Sequence, residues 1–278
     1  MDQQQLMFDI YNKCCDDLSD FEIWDGYYKL RFEEFKKFYS ILPQKHFSRS
    51  LEIGCGIGYQ AAFLSVISDS IVASDVDYGD MIQHSRGLEI TRNFVEKSGI
   101  KNIEVVNANS ENLPFADEQF DFIFASYSFQ YIVDKDKALQ EIRRVLKKDG
   151  YFFCVLPTSI NRFRAALRYY KEIFLKISRK FQRNLDIEKS ISAAQNKITF
   201  QKKWFSKLLP PADNSNNNVI KEYFLYSPIC WENLFLKNKL KIVSKKFSAF
   251  SVVNNNLSIF KKITEKLKSD GIILITKK

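Results

Sequence analysis

The chain has 278 residues, 45% of them hydrophobic, which suits one large α/β domain or one domain with a substantial insertion. Its five scattered cysteines and two histidines argue against a disulfide framework and a zinc site, so we expect no metal. No stretch approaches the ~20 apolar residues of a transmembrane helix, and the polar N-terminus lacks a signal-peptide layout, which predicts a cytoplasmic protein.

The charge is unevenly distributed along the chain. Residues 1–157 carry 17 Lys and Arg against 25 Asp and Glu, whereas residues 158–278 carry 25 against 8. A basic C-terminal region predicts an anionic partner, which leaves open an anionic small molecule, a membrane surface and RNA. A compositional bias of the source would produce the same pattern.

Residues 2–42 are predicted to form one or two helices. Phe32, Phe35 and Phe38 recur at steps of three, which is a helical period, and Pro43 closes the segment. The pattern indicates a helix with one aromatic face.

Residues 51–58 read Leu-Glu-Ile-Gly-Cys-Gly-Ile-Gly, an apolar run that ends in three glycines, Gly54, Gly56 and Gly58. A strand that feeds such a turn lets backbone N–H groups approach a ligand, and a helix predicted over 59–67 points its positive end at the same place. Asp75 lies 21 residues beyond the first glycine, at the end of the next apolar run. This distance is typical of a carboxylate that binds a ribose.

Glycine turns of this kind bind two classes of ligand, and the spacing of the glycines distinguishes them. The dinucleotide pattern needs its third glycine at position 59, where this chain has Tyr59. Instead the pattern is G-x-G-x-G, preceded by Glu52, and it resembles the first motif of class I S-adenosylmethionine-dependent methyltransferases.

The sequence from residue 49 to residue 156 is predicted to alternate between strands and helices. Strands are predicted over Arg49–Ile53, Ile71–Asp75, Ile103–Asn107, Phe120–Ala125 and Tyr151–Leu156, and helices over Tyr59–Ile67, Asp80–Ser98 and Asp134–Leu146. A turn is predicted at Asp149-Gly150, and Gly99 is expected to end the second helix. Strands separated by helix-length segments imply parallel βαβ units in a sheet covered on both faces.

Residues 107–126 resemble the adenine-binding motif and fourth strand of the ubiquinone- and menaquinone-type methyltransferases, the methyltransferase domain 11 group. Leu113-Pro114-Phe115 and Phe120-Asp121 keep the spacing of that group. Where its motif opens with Asp this chain has Asn109, whose amide oxygen can still accept a hydrogen bond. The resemblance covers about residues 49–157.

The resemblance implies a Rossmann-like α/β fold with a mostly parallel seven-stranded sheet, helices on both faces, and strand seven antiparallel beside strand six. It divides the chain into an N-terminal helical cap (1–48), an S-adenosylmethionine-binding core (49–157), a basic helical insertion or lid that binds the acceptor (158–226) and the C-terminal part of the core (227–278).

The resemblance also implies S-adenosylmethionine as the cofactor. Its binding residues would be Glu52, Gly54, Cys55, Gly56, Gly58, Asp75, Val76, Asn109, Ser110 and Ser126. The glycines would carry the methionine part, Glu52 the ammonium group and Asp75 the ribose hydroxyls. Val76 would lie beside the adenine, and Asn109 and Ser110 would meet its edge. Cys55 is expected to be a small buried thiol rather than a nucleophile.

Acceptor-pocket candidates are Trp24, Tyr28, Arg31, Tyr127, Gln130 and Tyr131, each of which could equally be a packing residue. Methyl transfer from a sulfonium chiefly requires alignment of the acceptor and exclusion of water, so no nucleophile or metal motif is needed. We assign no catalytic residue, and His84 is expected to be a surface histidine.

Beyond residue 157 the resemblance lapses. Residues 161–181 predict a basic amphipathic helix with apolar positions at Phe163, Leu167, Tyr170, Phe174, Ile177 and Phe181. It could lie on an anionic membrane, cover the site or pack against the core. A second basic and aromatic patch lies at 202–209 and an exposed loop at 210–218. A helix is predicted at 228–236, strands at 241–250 and 271–276, and a loop and short helix between those strands at 254–267.

The sequence therefore predicts an S-adenosylmethionine-dependent methyltransferase with a small-molecule or lipid-linked acceptor, cytoplasmic or peripheral at the membrane. RNA methylation is an alternative motivated by the basic region, although no Asn-Pro-Pro-Tyr-type base site follows strand four. A non-catalytic S-adenosylmethionine-binding protein is another. Tyr59 disfavours a nicotinamide oxidoreductase. The acceptor and the oligomeric state stay open.

Overall fold

The computed structural model describes residue 5 and residues 25–76, 87–187, 219–248 and 271–278. Within these ranges seven strands form one sheet in the order β3-β2-β1-β4-β5-β7-β6. The strands are β1 Phe47–Ile53, β2 Ser68–Asp75, β3 Ile103–Asn107, β4 Phe120–Ser126, β5 Leu146–Pro157, β6 Lys241–Ser248 and β7 Gly271–Lys277.

Helices cover both faces of this sheet. They are α1 Asp25–Ile41, α2 Tyr59–Leu64, α3 Gly87–Ser98, α4 Lys135–Val145, α5 Ser159–Ile187, α6 Val219–Leu225 and α7 Pro228–Lys237, with a 3-10 turn at Phe129–Tyr131. Asp134 caps α4 by accepting a hydrogen bond from the Lys137 N–H, and Ser227 caps α7 in the same way through the Cys230 N–H.

The sheet is parallel from β3 through β5, and β7 runs antiparallel between β5 and β6. This topology confirms the predicted mostly parallel sheet with an antiparallel strand seven. Because the parallel strands all end on the same side, their carboxyl ends share one edge, which is where such sheets bind ligands. We call it the carboxyl edge.

Alternate residues of the central strands supply two separate cores. Phe124 of β4 and Phe153 of β5 belong to the core beneath α1, α2 and α3, whereas Ile123 and Phe152 belong to the core beneath α4 and α7. The predicted aromatic face of α1 is confirmed, since Phe35 and its neighbouring phenylalanines are buried. Both cores are rich in aromatic pairs, such as Phe152 stacked on Phe235 of α7 at 5.7 Å.

Most predicted elements are confirmed within a few residues, and two predictions are wrong in detail. Helix α2 ends at Leu64 rather than Ile67. Strand β5 begins at Leu146, so the turn predicted at Asp149-Gly150 lies inside the strand. A register shift between Phe120 and Phe122 absorbs the extra residues, as a bulge does.

Several other predictions concern regions that the structure covers only in part. Helix α3 ends before Gly99, which has the expected positive φ of 65°, but residues 77–86, with His84, lie outside the described residues. So do the patch at 202–209, the loop at 210–218, residues 249–250 and the segment at 254–267. The divisions at residues 48, 157 and 226 stay predictions. Among the described helices, none is long and apolar enough to span a bilayer.

Candidate functional site

The glycine bend, Gly54–Gly58, connects the end of β1 to α2 at the carboxyl edge. All three glycines have positive φ, at 73°, 54° and 97°, in a region that side chains rarely adopt. The Gly54 and Cys55 N–H groups both donate to the Ser74 carbonyl, at 2.8 and 3.0 Å, which ties the bend to β2. The predicted glycine turn is therefore present.

The three glycines meet different surroundings. A Cβ at Gly54 would lie 2.3 Å from the Ser128 Cβ, and one at Gly58 would lie 2.8 Å from the Thr91 Cγ2. A Cβ at Gly56 would meet nothing within 4 Å. The outer two glycines thus allow close packing, whereas the middle one exposes its backbone to open space.

Asp75, at the end of β2, points at the bend. Its Oδ2 accepts a hydrogen bond from the Gly56 N–H at 2.8 Å, and its Oδ1 accepts one from the Val76 N–H at 2.8 Å. Burial raises the pKa of this carboxyl, and the two N–H groups partly offset that rise by stabilising the charged form.

Glu52 supplies a second carboxylate from β1, directly before the bend. The residue is 2% exposed, and its Oε2 has no hydrogen-bond partner within the described residues. Burial raises the pKa of Glu52 well above its usual range and the charge of Asp75 raises it further, while the Ala61 N–H opposes both effects. A buried acid and a partly buried one at the same place favour a cation nearby, because each disfavours the charge of the other.

Cys55 lies inside the bend and is 7% exposed. Burial, followed by the charges of Glu52 and Asp75, raises the pKa of its thiol well above the usual range. Since the thiolate is the nucleophilic form, this shift disfavours a nucleophilic role for Cys55. This agrees with the expected packing role.

The segment after β4 forms the opposite wall of the site. Tyr127 has a φ of 52°, a strained conformation for an aromatic residue that often marks a functional site. The Ser128 hydroxyl donates to the Ile53 carbonyl at 2.6 Å, which joins this segment to β1. Within the described residues, the buried Ser126 Oγ and Gln130 Oε1 have no hydrogen-bond partner.

The segment after β3 also reaches the carboxyl edge. The Ala108 N–H donates to the Asp75 carbonyl at 2.9 Å, which places Asn109 and the buried Ser110 close to the end of β2. The Asn109 Oδ1 accepts the Glu111 N–H at 2.9 Å, so this oxygen closes a local turn. Asn109 itself is exposed.

Residues 51–154 match the family model of the methyltransferase domain. By sequence, this stretch is a methyltransferase domain. The chain is 32% identical over 107 residues to the uncharacterized methyltransferase YcgJ of Bacillus subtilis, covering 38% of this chain and 40% of that protein. It is 36% identical over 104 residues to the ubiquinone/menaquinone biosynthesis C-methyltransferase UbiE of Haemophilus ducreyi, covering 36% and 38%.

The fold resembles solved structures over a longer stretch than the sequence does. A S-adenosylmethionine-dependent methyltransferase from Aquifex aeolicus superposes with a TM-score of 0.52 at 14% identity, covering 87% of this chain and 88% of that one. The matched sequence spans about two fifths of the curated relatives' own length. The methyltransferase domain is therefore identified at the level of fold and family.

Within this methyltransferase domain, the predicted cofactor residues lie along the carboxyl edge. Hydrogen bonds join Asp75 to the bend, and Glu52 directly precedes the bend, close enough to Asp75 for the two charges to interact. Val76, Ser126 and the segment at 108–110 lie at the ends of neighbouring strands. Their roles in binding stay predictions. Among the described residues no cluster of His, Cys, Asp or Glu suits a metal ion.

The predicted acceptor residues are described less completely. Gln130 is buried, and Tyr131 is 54% exposed beside it. Arg31 of α1 pairs with Glu34 at 2.7 Å, and its carbonyl accepts a hydrogen bond from the Gln60 side chain. Trp24 and the side chain of Tyr28 lie outside the described residues.

Two residues that the sequence reasoning missed hold the methyltransferase domain's bend in place. Thr91 of α3 is buried and donates its hydroxyl to the Gly56 carbonyl, and Ser128 packs against Gly54. Both contacts join segments far apart in the chain. No local sequence pattern identifies these two residues. Once the topology is known, a small residue packed against a glycine of the bend could be searched for.

Proposed function

We propose that the protein transfers a methyl group from S-adenosylmethionine to a small lipophilic acceptor of the quinone type. The observation that carries the proposal is the convergence of the Glu52 and Asp75 carboxylates on the glycine bend. A buried acid and a partly buried one beside an exposed backbone suit a ligand that combines positive charge with hydroxyl groups.

The residues present fit this donor. Gly56 leaves open space where the ligand's methionine part would approach the backbone. The unpartnered, buried Oε2 of Glu52 suits the donor's ammonium group, and both Asp75 oxygens keep lone pairs for ribose hydroxyls after accepting their backbone hydrogen bonds. The donor's cationic character also offsets the cost of two buried negative charges.

The donor supplies a methyl group already activated by a positively charged sulfur. The protein's share of the work is to align the acceptor and exclude water, and positioning of this kind supplies at most about 7–11 kcal/mol. The strained Tyr127 and the buried polar atoms of Ser126 and Gln130 line the wall after β4, where an acceptor would meet the bend. We propose that these three residues orient the acceptor.

The relatives support the class of acceptor. One relative is named ubiquinone/menaquinone biosynthesis C-methyltransferase, and another, 26% identical over 152 residues, is named demethylmenaquinone methyltransferase. A quinol ring is flat and apolar with polar oxygens, which suits a wall made of tyrosines and two buried polar side chains.

Donor binding is tested by calorimetry with S-adenosylhomocysteine. The folded protein should bind it, and Asp75→Ala should weaken binding by about a hundredfold, because the variant loses a charged hydrogen-bond acceptor in a buried site. Asp69→Ala is the matched control, since Asp69 lies at the other end of the same strand and is 66% exposed. The proposal fails if the folded wild-type protein does not bind.

Methyl transfer is tested with isotope-labelled S-adenosylmethionine, first with demethylated quinols and then with a lipid extract. Label should appear in the lipid phase, and the product's mass should rise by one methyl group. Label in RNA would favour the RNA alternative instead. A protein that binds donor but labels nothing would favour the non-catalytic alternative.

A further inference from the structure

Helix α5 carries an apolar stripe that faces away from the core. Phe163, Leu167, Tyr170 and Phe174 follow one another at steps of four, three and four, so they lie along one side of the helix. Their exposed fractions are 47%, 42%, 44% and 69%. A helix normally turns such a stripe inward, so an outward one marks an interaction surface. We call these four residues the α5 stripe.

Helix α6 is fixed to the start of α5 and adds exposed apolar side chains of its own. The Arg162–Glu222 ion pair, 3.0 Å long and almost fully buried, joins the two helices. The Ser159 N–H also donates to the Tyr226 carbonyl at 3.1 Å. Ile220 and Phe224 of α6 are 57% and 66% exposed. The stripe therefore belongs to a braced pair of helices.

The charge of α5 identifies the kind of partner. Its sequence holds eight Lys and Arg against two acids, and the exposed bases are Arg168, Lys171, Lys176 and Arg179. An apolar stripe on one side of a helix whose other exposed positions are rich in bases is the pattern of helices that lie in the interface of an anionic bilayer. A nucleic-acid surface would be polar throughout, and a protein interface would be poor in charge.

We propose that the α5 stripe docks onto the surface of an anionic lipid bilayer. The large aromatic side chains insert among the acyl chains, and the exposed bases of α5 are attracted to the lipid phosphates. Docking of this kind depends both on buried apolar area and on the negative charge of the membrane.

The position of α5 relates this surface to the glycine bend. Helix α5 starts at Ser159, two residues after β5 ends at Pro157, and β5 runs parallel to β4, which in turn pairs in parallel with β1. The docking helix therefore leaves the sheet at the same carboxyl edge as the bend. If the proposed lipophilic acceptor is correct, the acceptor reaches the site from the bilayer; membrane docking itself does not depend on that proposal.

Vesicle flotation tests the inference with the full chain. The protein should float with vesicles of phosphatidylcholine mixed with phosphatidylglycerol, less with phosphatidylcholine alone, and less again as salt is added. Phe174→Ser should weaken vesicle binding roughly tenfold, since it withdraws one phenyl ring from the apolar phase. Arg168→Gln and Lys171→Gln should each weaken binding to the anionic vesicles by about fivefold and leave binding to neutral ones unchanged.

The matched control is Leu236→Ser, because Leu236 is 54% exposed near the end of α7, just before β6 begins at the opposite edge of the sheet. It should float as the wild type does, and every variant should keep the wild-type melting temperature and S-adenosylhomocysteine affinity. Absence of flotation, or equal loss in Leu236→Ser and Phe174→Ser, would overturn the inference. So would a dimer that Phe174→Ser separates, or RNA binding that only the charge variants reduce.

These outcomes separate the inference from the proposed function. A protein that binds S-adenosylhomocysteine but not vesicles contradicts only the docking surface. A protein that floats but does not bind the donor contradicts only the methyltransferase proposal.

Discussion

The glycine bend and the α5–α6 pair handle their charged groups in opposite ways. At the bend, backbone N–H groups contact one buried acid and one partly buried acid, whereas on α5 four bases are exposed and Arg162 is buried against Glu222. The bend lies within the residues that match the family model, and α5 and α6 lie outside it. A ligand shared by a large family requires fixed backbone geometry, whereas a particular partner is selected by surface side chains.

The largest expected effect lies in the α5–α6 pair. Glu222→Gln should lower the free energy of unfolding by about 3–5 kcal/mol, because it leaves Arg162 buried without its charge partner. Urea denaturation measures the change. Glu232→Gln is the matched control, since its ion pair with Lys245 is partly exposed and should be worth at most about 1 kcal/mol. Equal effects in the two variants would show that the buried ion pair does not hold α5 and α6 together.

The bend should respond to changes in its glycines according to their surroundings. Gly54→Ala should cost about 3 kcal/mol in unfolding free energy, since it adds a backbone strain of ~1–2 kcal/mol to a clash with Ser128. Gly56→Ala should cost only the strain, about 1–2 kcal/mol, because its Cβ meets open space.

Binding of S-adenosylhomocysteine completes the glycine comparison. Gly56→Ala should weaken it more than its small loss of stability would suggest, since the new methyl group enters the space left for the ligand. If the folded Gly56→Ala variant bound as tightly as the wild type, the donor could not lie against Gly56.

The Glu52 carboxylate should lower the stability of the folded protein at high pH and strengthen ligand binding. Because its pKa in the folded protein is raised, ionising it costs stability as the pH rises above the ordinary carboxyl range. Glu52→Gln should therefore be more stable than the wild type at about pH 8 and gain nothing at about pH 4. It should also bind S-adenosylhomocysteine about tenfold more weakly, for lack of a charge opposite the ammonium group.

Urea denaturation at the two pH values and calorimetry check both halves of this prediction. A Glu52→Gln variant that is less stable at every pH would mean that the carboxylate has a structural partner. The wild type's own affinity for S-adenosylhomocysteine should rise with pH, because the ammonium group of this ligand favours the ionised form of the two acids.

The smallest expected effect concerns Ser128. Ser128→Ala removes the hydrogen bond to the Ile53 carbonyl and should cost about 1 kcal/mol in unfolding free energy. Ser48→Ala is a suitable control, because the Ser48 side chain is exposed at the opposite end of β1. An unchanged melting temperature in Ser128→Ala would show that packing alone holds the segment after β4 against the bend.

Local patterns predicted the parts of the fold that depend on local physics. Strand β3 was predicted at Ile103–Asn107 and lies there, because its short apolar run is bounded by polar residues. The start of β5 was missed, because Lys147, Lys148 and Asp149 look like a polar turn, and only pairing across a bulge keeps them in the strand.

The site residues likewise fall into those that local sequence predicts and those that depend on tertiary packing. Asp75 and the glycines could be found from spacing alone, because one strand and one turn fix their positions. Thr91 and Ser128 could not, because their contacts with the bend depend on how α3 and the segment after β4 pack in three dimensions. The positive φ of Tyr127 likewise has no local signal, since an aromatic residue is seldom found there.

The antiparallel strand β7 joins the sheet between two strands that precede it in the chain. Strand β6 pairs with β7, and β7 completes both cores through Ile272 and Ile273. During synthesis on the ribosome, one edge of β5 therefore stays unpaired until about 110 later residues have been added. Synthesis proceeds at roughly 5–20 residues per second. A nascent chain stalled in that interval would expose an unpaired, apolar strand that can pair with other chains. This topology therefore predicts that truncated products aggregate.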